Sequence, residues 1–127
     1  MFYDPGTVCR ALVQFYDSSS GRMRFKSRPA LIIGNADEQD YTVLPISTIT
    51  KRQNMNPHFD VPIDPKQYPG LTLAKYCFVR THKPTIINAG QISPPVADMK
   101  NTYEELFLEI LTRYEEYNSQ IIALALN

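Results

Sequence analysis

Hydrophobic and polar positions alternate along the first part of the chain. From residue 6 to 15, Cys9, Ala11, Val13 and Phe15 share one side and Arg10, Gln14 and Tyr16 the other, with Leu12 the exception. This pattern predicts a strand with one buried face that ends at Asp17. Asp17-Ser18-Ser19-Ser20-Gly21 reads as a turn. After it, Met23, Phe25 and Ser27 alternate with Arg24, Lys26 and Arg28, so an extended chain here carries its positive charge on one side. The apolar run Ala30-Leu31-Ile32-Ile33-Gly34 predicts a central strand, with Asn35 to Asp40 as a turn and Tyr41 to Ser47 as its antiparallel neighbour. Pro45 marks an edge, bulge or strand end there. Phe59, Val61 and Ile63 alternate with His58, Asp60 and Asp64 in a further short strand, and Leu71 to Thr81 and Thr85 to Ala89 read as two more.

The period then changes. Tyr103, Leu106, Phe107, Ile110, Leu111 and Tyr114 recur at three and four residues, which predicts an amphipathic helix over about 102–118. Thr102 and Glu105 have the spacing of a capping box at its start. The pattern leaves open whether 119–127 prolongs the helix, turns or enters a partner's surface. Several closely spaced strands and ten prolines favour a small, strongly bent sheet or barrel over about 5–97 with a C-terminal helix, a mainly β fold.

Composition narrows the class. A chain of 127 residues with 43% hydrophobic and 20% charged side chains is expected to form one domain spanning 1–127, not a disordered tail or a helical bundle. No apolar run approaches the roughly 20 residues of a spanning helix, and the start MFYDPG has no export-signal pattern, so a cytoplasmic protein with no membrane partner is expected. Cys9 and Cys77 form neither a disulfide framework nor a metal knuckle, and both sit in apolar stretches that suit reduced, buried thiols, with a bond between them left open. The two histidines have no metal-ligand spacing, so neither metal nor cofactor is expected. Net charge is zero, from 13 basic and 13 acidic residues, but residues 1–90 hold 11 Lys and Arg against 7 Asp and Glu, and residues 91–127 hold 2 against 6. A positive sheet and an acidic helix are therefore expected, with Arg22, Arg24, Lys26 and Arg28 in one cluster and Lys51 and Arg52 in another.

Several segments taken together resemble a known family. Pro5-Gly6-x-Val8, Gly21, Arg28-Pro29-Ala30-Leu31-Ile32-Ile33, Val43-Leu44-Pro45-Ile46-Ser47-Thr48 and Phe78-Val79-Arg80-Thr81-His82-Lys83-Pro84 with Ile86 resemble the MazF/PemK (Kid-like) toxins of bacterial toxin–antitoxin modules. The order and spacing match from about Pro5 to Ala89 and are followed by a terminal helix. The resemblance implies a small SH3-like barrel, a homodimer, and a metal-independent endoribonuclease for single-stranded RNA that an antitoxin neutralises. By position it implies Arg28, Ser47, Arg80 and His82 as the catalytic group. Ser47 stands where threonine is commoner, His82 where one branch has an aspartate, and Met23-Arg24 where the family has an acidic residue and glutamine.

The chemistry of those side chains suits the task. Metal-free cleavage needs a base for the ribose 2′-hydroxyl, donors for the phosphate, and an acid for the leaving 5′ oxygen. Arg28 and Arg80 offer permanent, planar donors, with Arg28 as the main clamp. Ser47 can orient a phosphate oxygen, and His82, with an ordinary pKa of about 6.5, can give and accept protons. Arg22, Arg24, Lys26, Lys51 and Arg52 are candidates for holding the RNA. Plainer readings stand beside these: a solvated strand face for Arg24, Lys26 and Arg28, a strand-end hydroxyl for Ser47, a loop position for His82, a surface or ion-pair role for Arg80 and an exposed strand position for His58. Tyr16, Phe25 and Tyr76 are core aromatics on the plain reading and base-stacking groups on the other. A non-catalytic barrel that binds an antitoxin or a gyrase-type target is the alternative function, and a peptide-binding SH3-like module is a third.

Overall fold

The computed structural model describes residues 3–127; the first two residues of the MFYDPG start lie outside the described part. Its strands are β1 (Thr7–Asp17), β2 (Arg22–Asn35), β3 (Asp40–Ser47), β4 (Asp60–Ile63), β5 (Cys77–Arg80), β6 (Thr85–Asn88) and β7 (Ala97–Asp98). They form one curled, open sheet in the order β4-β5-β3-β2-β1-β7, with β6 also paired to β3. The helices α1 (Met99–Thr102) and α2 (Glu104–Leu126) follow. The mainly β architecture with a C-terminal helix agrees with the sequence pattern.

Both faces of the sheet's centre are covered, which explains the unbroken apolar run at Ala30–Ile33. Val8, Leu31, Leu44, Ile46 and Val79 form one core with Met99, Leu106, Phe107 and Ile110 of the helices. Cys9, Ala11, Ala30, Ile32, Val43 and Ile87 form a second core on the opposite face. Cys9 and Cys77 are free, buried thiols in separate cores, and burial raises the pKa of each to about 11. No disulfide joins them.

The basic stretch and the central apolar strand are one element. β2 pairs with β1 from Val8↔Leu31 to Asp17↔Arg22, so the outer half of the hairpin runs beyond both cores. Its turn is closed by the Asp17 carboxylate, which accepts from the Ser19 amide (3.0 Å), the Ser19 and Ser20 hydroxyls (2.7 and 3.0 Å) and Arg24 (3.3 Å). These bonds hold the Asp17 pKa down at about 2. Gly21, at φ +71°, returns the chain into β2 through the left-handed region that glycine enters freely.

Pro45 sits inside β3 and not at its end. β3 pairs with β6 through Val43 and takes β5 as partner from Ile46, so the proline falls where the strand changes neighbours and no ladder donor is needed. The strand read over Leu71–Thr81 is confined to Cys77–Arg80. A 3-10 turn at Pro69–Leu71 and a left-handed Thr72 (φ 56°) break the first half. His58 is exposed, but it lies in the turn before β4 and not in a strand.

The Thr102–Glu105 capping box does not form. Asp98 caps α1 instead by accepting from the Asn101 amide at 3.1 Å, and Tyr103 (φ −134°) separates α1 from α2. Tyr103 is drawn aside by tertiary contacts: its hydroxyl accepts from the Gly70 amide at 2.8 Å and its ring meets Tyr68 edge-on. Once started, α2 runs past the expected 118 to Leu126, so the tail left open by the pattern is helical. Its apolar stripe is buried only at Leu106, Phe107 and Ile110, and Ile121, Ile122, Leu124 and Leu126 are exposed.

Candidate functional site

Strand register gathers side chains that are far apart in the chain. Ala30 pairs with Pro45, so two residues further out Arg28 stands beside Ser47. The Arg28 guanidinium donates to Ser47 Oγ at 2.8 Å and lies 5.8 Å from the centre of the Phe15 ring. On the other edge of β3, Ile46 pairs with Val79, which brings Arg80 to the same face as Ser47. Arg28, Ser47 and Arg80 wall one open cavity of about 260 Å³ together with Phe15, Lys83 and Thr85. That wall carries three cations and no carboxylate. Burial, followed by repulsion from Arg80, lowers the Arg28 pKa, yet the guanidinium remains charged at neutral pH.

Arg80 is aimed by a residue that the alternation pattern placed on a polar strand face. Asp60 pairs with Arg80 across β4 and β5, and its side chain is 0% exposed. It accepts from Arg80 Nε at 3.1 Å and Nη2 at 3.4 Å, and from the Asn56 amide at 2.7 Å. Arg80 Nη2 also donates to the Asn54 carbonyl at 2.8 Å, on the turn that begins at Lys51 and Arg52. The plain ion-pair reading of Arg80 and its place in the cavity wall therefore both hold. Asp60 is the residue the sequence reading missed. A lone carboxylate between Phe59 and Val61, with two cationic residue types at 80 and 82 lacking a partner, was the available signal.

His82 lies behind Arg80 and does not line the cavity. Its side chain is 16% exposed, stacked on Phe59 (5.9 Å between centres) and edge-on to Tyr117 of α2 (6.5 Å). Nδ1 is buried without a hydrogen-bond partner and stands 3.8 Å from Asp60. Thr81 between the two residues is anchored by donating its hydroxyl to the Phe59 carbonyl at 2.6 Å, which turns Arg80 and His82 toward the same carboxylate. Burial lowers the His82 pKa and outweighs the opposing pull of Asp60, with Arg80 and Lys83 lowering it further. The His82–Asp60 contact is therefore one between a neutral ring and a carboxylate already matched by Arg80, not a salt bridge at neutral pH. α2 is tied to the same corner through His58, which contacts Glu116 and lies 3.4 Å from Arg113.

The remaining predicted positions are more dispersed. Lys26 lines a second, neighbouring cavity with Arg28 and Ser47, whereas Arg22, Arg24, Lys51 and Arg52 line neither cavity. Arg24 is ion-paired to Asp17 at 3.3 Å. Tyr16, Phe25 and Tyr76 are all more than half exposed, so the core reading of these aromatics is corrected: the hairpin and the β5 approach extend past the packed sheet. Among the described residues no group of three or more His, Cys, Asp or Glu is arranged to hold a metal ion, and no helix is long and apolar enough to cross a membrane.

No family model and no curated protein matches this chain. Among solved structures, the Mycobacterium tuberculosis toxin MazF-mt6 aligns with a TM-score of 0.54 and 18% identity over 85% of this chain and 96% of that one. The curled sheet with its C-terminal helix is therefore similar in fold to a MazF-type toxin.

Proposed function

We propose that this chain is an endoribonuclease of the toxin type that cleaves single-stranded RNA without a metal. The observation that supports this reading most is the joint presence of Arg28, Ser47 and Arg80 in one cavity whose wall holds no carboxylate. A phosphate seated there meets the Arg28 guanidinium, the Ser47 hydroxyl and the charge of Arg80, whose Nε and Nη2 are held by Asp60 and Asn54, and the cations face the charge that builds on its oxygens as the 2′ oxygen attacks. The 2′ proton goes to a base, the P–O5′ bond breaks, and the leaving oxygen takes a proton. The products are a 2′,3′-cyclic phosphate and a 5′-hydroxyl. Arg28 and Arg80 are the clamps of the reading and Ser47 orients the phosphate, while His82, which stands outside the cavity wall, serves as the proton-transfer group by way of an intervening water. An acidic antitoxin segment is the proposed inhibitor, since it repeats the charge that the cavity receives, and the active form is proposed to be a homodimer.

Incubation of the purified protein with mixed-sequence RNA in excess chelator, followed by end mapping, tests the core of this. Cyclic-phosphate and 5′-hydroxyl ends with undiminished yield are expected; 5′-phosphate ends or a loss of yield with chelator overturn it.

The lowered pKa of His82 sets a pH signature. A base must be neutral, and His82 stays neutral below the ordinary histidine value of 6.5, so the acid limb of the rate profile is expected below pH 6.5. His82→Ala should cut the rate and remove that limb. Survival of the limb in the variant assigns proton transfer to another group.

The alternative of a non-catalytic, protein-binding barrel draws on the exposed apolar side of the hairpin, Leu12, Tyr16, Met23 and Phe25. Folded protein that leaves RNA intact under all these conditions selects it.

A further inference from the structure

A second cavity, of about 270 Å³, shares Arg28 and Ser47 with the first. The two residues thus form a common wall. The second cavity adds Arg10, Lys26 and Lys75 to its lining and again has no carboxylate. None of these three cations forms a salt bridge with a carboxylate among the described residues, in contrast to Arg24, Arg80 and Arg113. Arg10 is held in place by donating to Ser27 Oγ at 3.3 Å and to the Ser27 carbonyl at 3.1 Å, which orients it without neutralising it. Pro29, Ile46 and Leu73 supply apolar lining beneath this charge.

Cations that line one cavity without counter-charges make a positive surface that favours an anion. An apolar surface under a cationic rim suits a ligand with a flat apolar part and a negative group. A volume of about 270 Å³ is near the lower end of the roughly 300 Å³ of small-ligand sites, so it accommodates one nucleoside-sized unit and not a folded segment of a partner. Its continuity with Arg28 and Ser47 favours the next unit of a chain whose phosphate sits on that pair.

We propose that the cavity lined by Arg10, Lys26 and Lys75 is a nucleotide subsite for single-stranded RNA, holding the residue adjacent to the phosphate at Arg28–Ser47. This rests on the ribonuclease reading for the identity of the polyanion, but it concerns binding and is tested without cleavage. The subsite makes the RNA path continuous across both cavities, so contact with RNA depends on cations that no catalytic role requires.

The probe is a fluorescently labelled 2′-O-methyl RNA octamer of mixed sequence, which has no 2′-hydroxyl to react. Its binding is followed by anisotropy over a series of salt concentrations, with an acidic peptide as competitor. Lys75 is exposed, so Lys75→Ala and Lys75→Glu are expected to fold normally, and a thermal melt checks that they do. Lys75→Ala and Arg10→Gln should each weaken binding on the order of fivefold and lower the slope of log affinity against log salt by about 0.7, the share of one phosphate contact on a single strand. Lys75→Glu should weaken it further. Wild-type affinity and slope in all three variants overturn the subsite. Peptide binding that depends on Lys75 while octamer binding does not assigns the cavity to a protein partner and also overturns it. Lys75-dependent binding of the octamer, in a protein that never cuts RNA, retains the subsite and removes the nuclease reading, so the two failures are distinguishable.

Discussion

Asp60→Ala is expected to destabilise the protein by about 3 kcal/mol, read as a fall in the urea midpoint with little change in slope. The reason is the state of its partners. The Asp60 side chain is wholly buried, Arg80 is only 17% exposed, and the Asn56 amide also donates to the same carboxylate. Removing the carboxylate leaves a guanidinium and an amide without their acceptor, which costs more than the pair itself contributes. Asp60→Asn separates structure from chemistry. Its carbonyl oxygen can still accept from Asn56, so most of the fold should persist, but the charge that fixes Arg80 is gone. RNA cleavage should then fall while the melting transition stays cooperative. An Asp60→Ala protein as stable as the wild type removes the ion pair from the account of the fold.

Arg28→Ala is expected to lower cleavage about 100-fold or more, the scale found when one donor to a developing oxyanion is removed. Folding should suffer little. The Ser47 hydroxyl that loses its donor faces an open cavity where water replaces the guanidinium, so a cost of about 1 kcal/mol or less is expected. Arg28→Lys keeps a charge but not the planar fork, and its activity should lie between the two. Equal activity in all three proteins moves the cleavage site away from Arg28. Circular dichroism on each variant separates a chemical loss from an unfolded one.

These two residues differ in how far they are visible without a fold. Arg28 carries its signal locally, in an Arg-Pro step before an apolar run, and Ser47 in a hydroxyl at the end of an apolar strand. Their meeting at 2.8 Å follows from the β2–β3 register that pairs Ala30 with Pro45, which the unbroken apolar run Ala30–Ile33, buried on both faces, does not by itself fix. Asp60 has no such local mark. A carboxylate in an alternating strand reads as solvent-facing, and only the pairing of β4 with β5, 20 positions away, supplies the cation that makes its burial tolerable. His82 is similar: the ring that the sequence presents as a loop histidine is covered by Phe59 and by Tyr117, from a helix 35 residues further on.

The helix shows the same division. Its three-and-four periodicity is a property of the chain, and α2 lies where that periodicity predicts. Its start does not follow from the Thr102–Glu105 spacing, because the Tyr103 hydroxyl is bound to Gly70 and local capping chemistry yields to that contact.

By itself the sequence determined the class of fold, the buried thiols, the split of charge between sheet and helix, and the candidate cations, since each depends on composition or on periods of two and 3.6 residues. Only the tertiary structure decided which cations are neutralised and which stand free, that Asp60 is buried beneath Arg80, that His82 is covered, and that Arg28 and Ser47 divide two cavities. Those facts depend on strand register and on packing between distant segments, where the free energy of a charged side chain is set by neighbours that its place in the chain does not reveal.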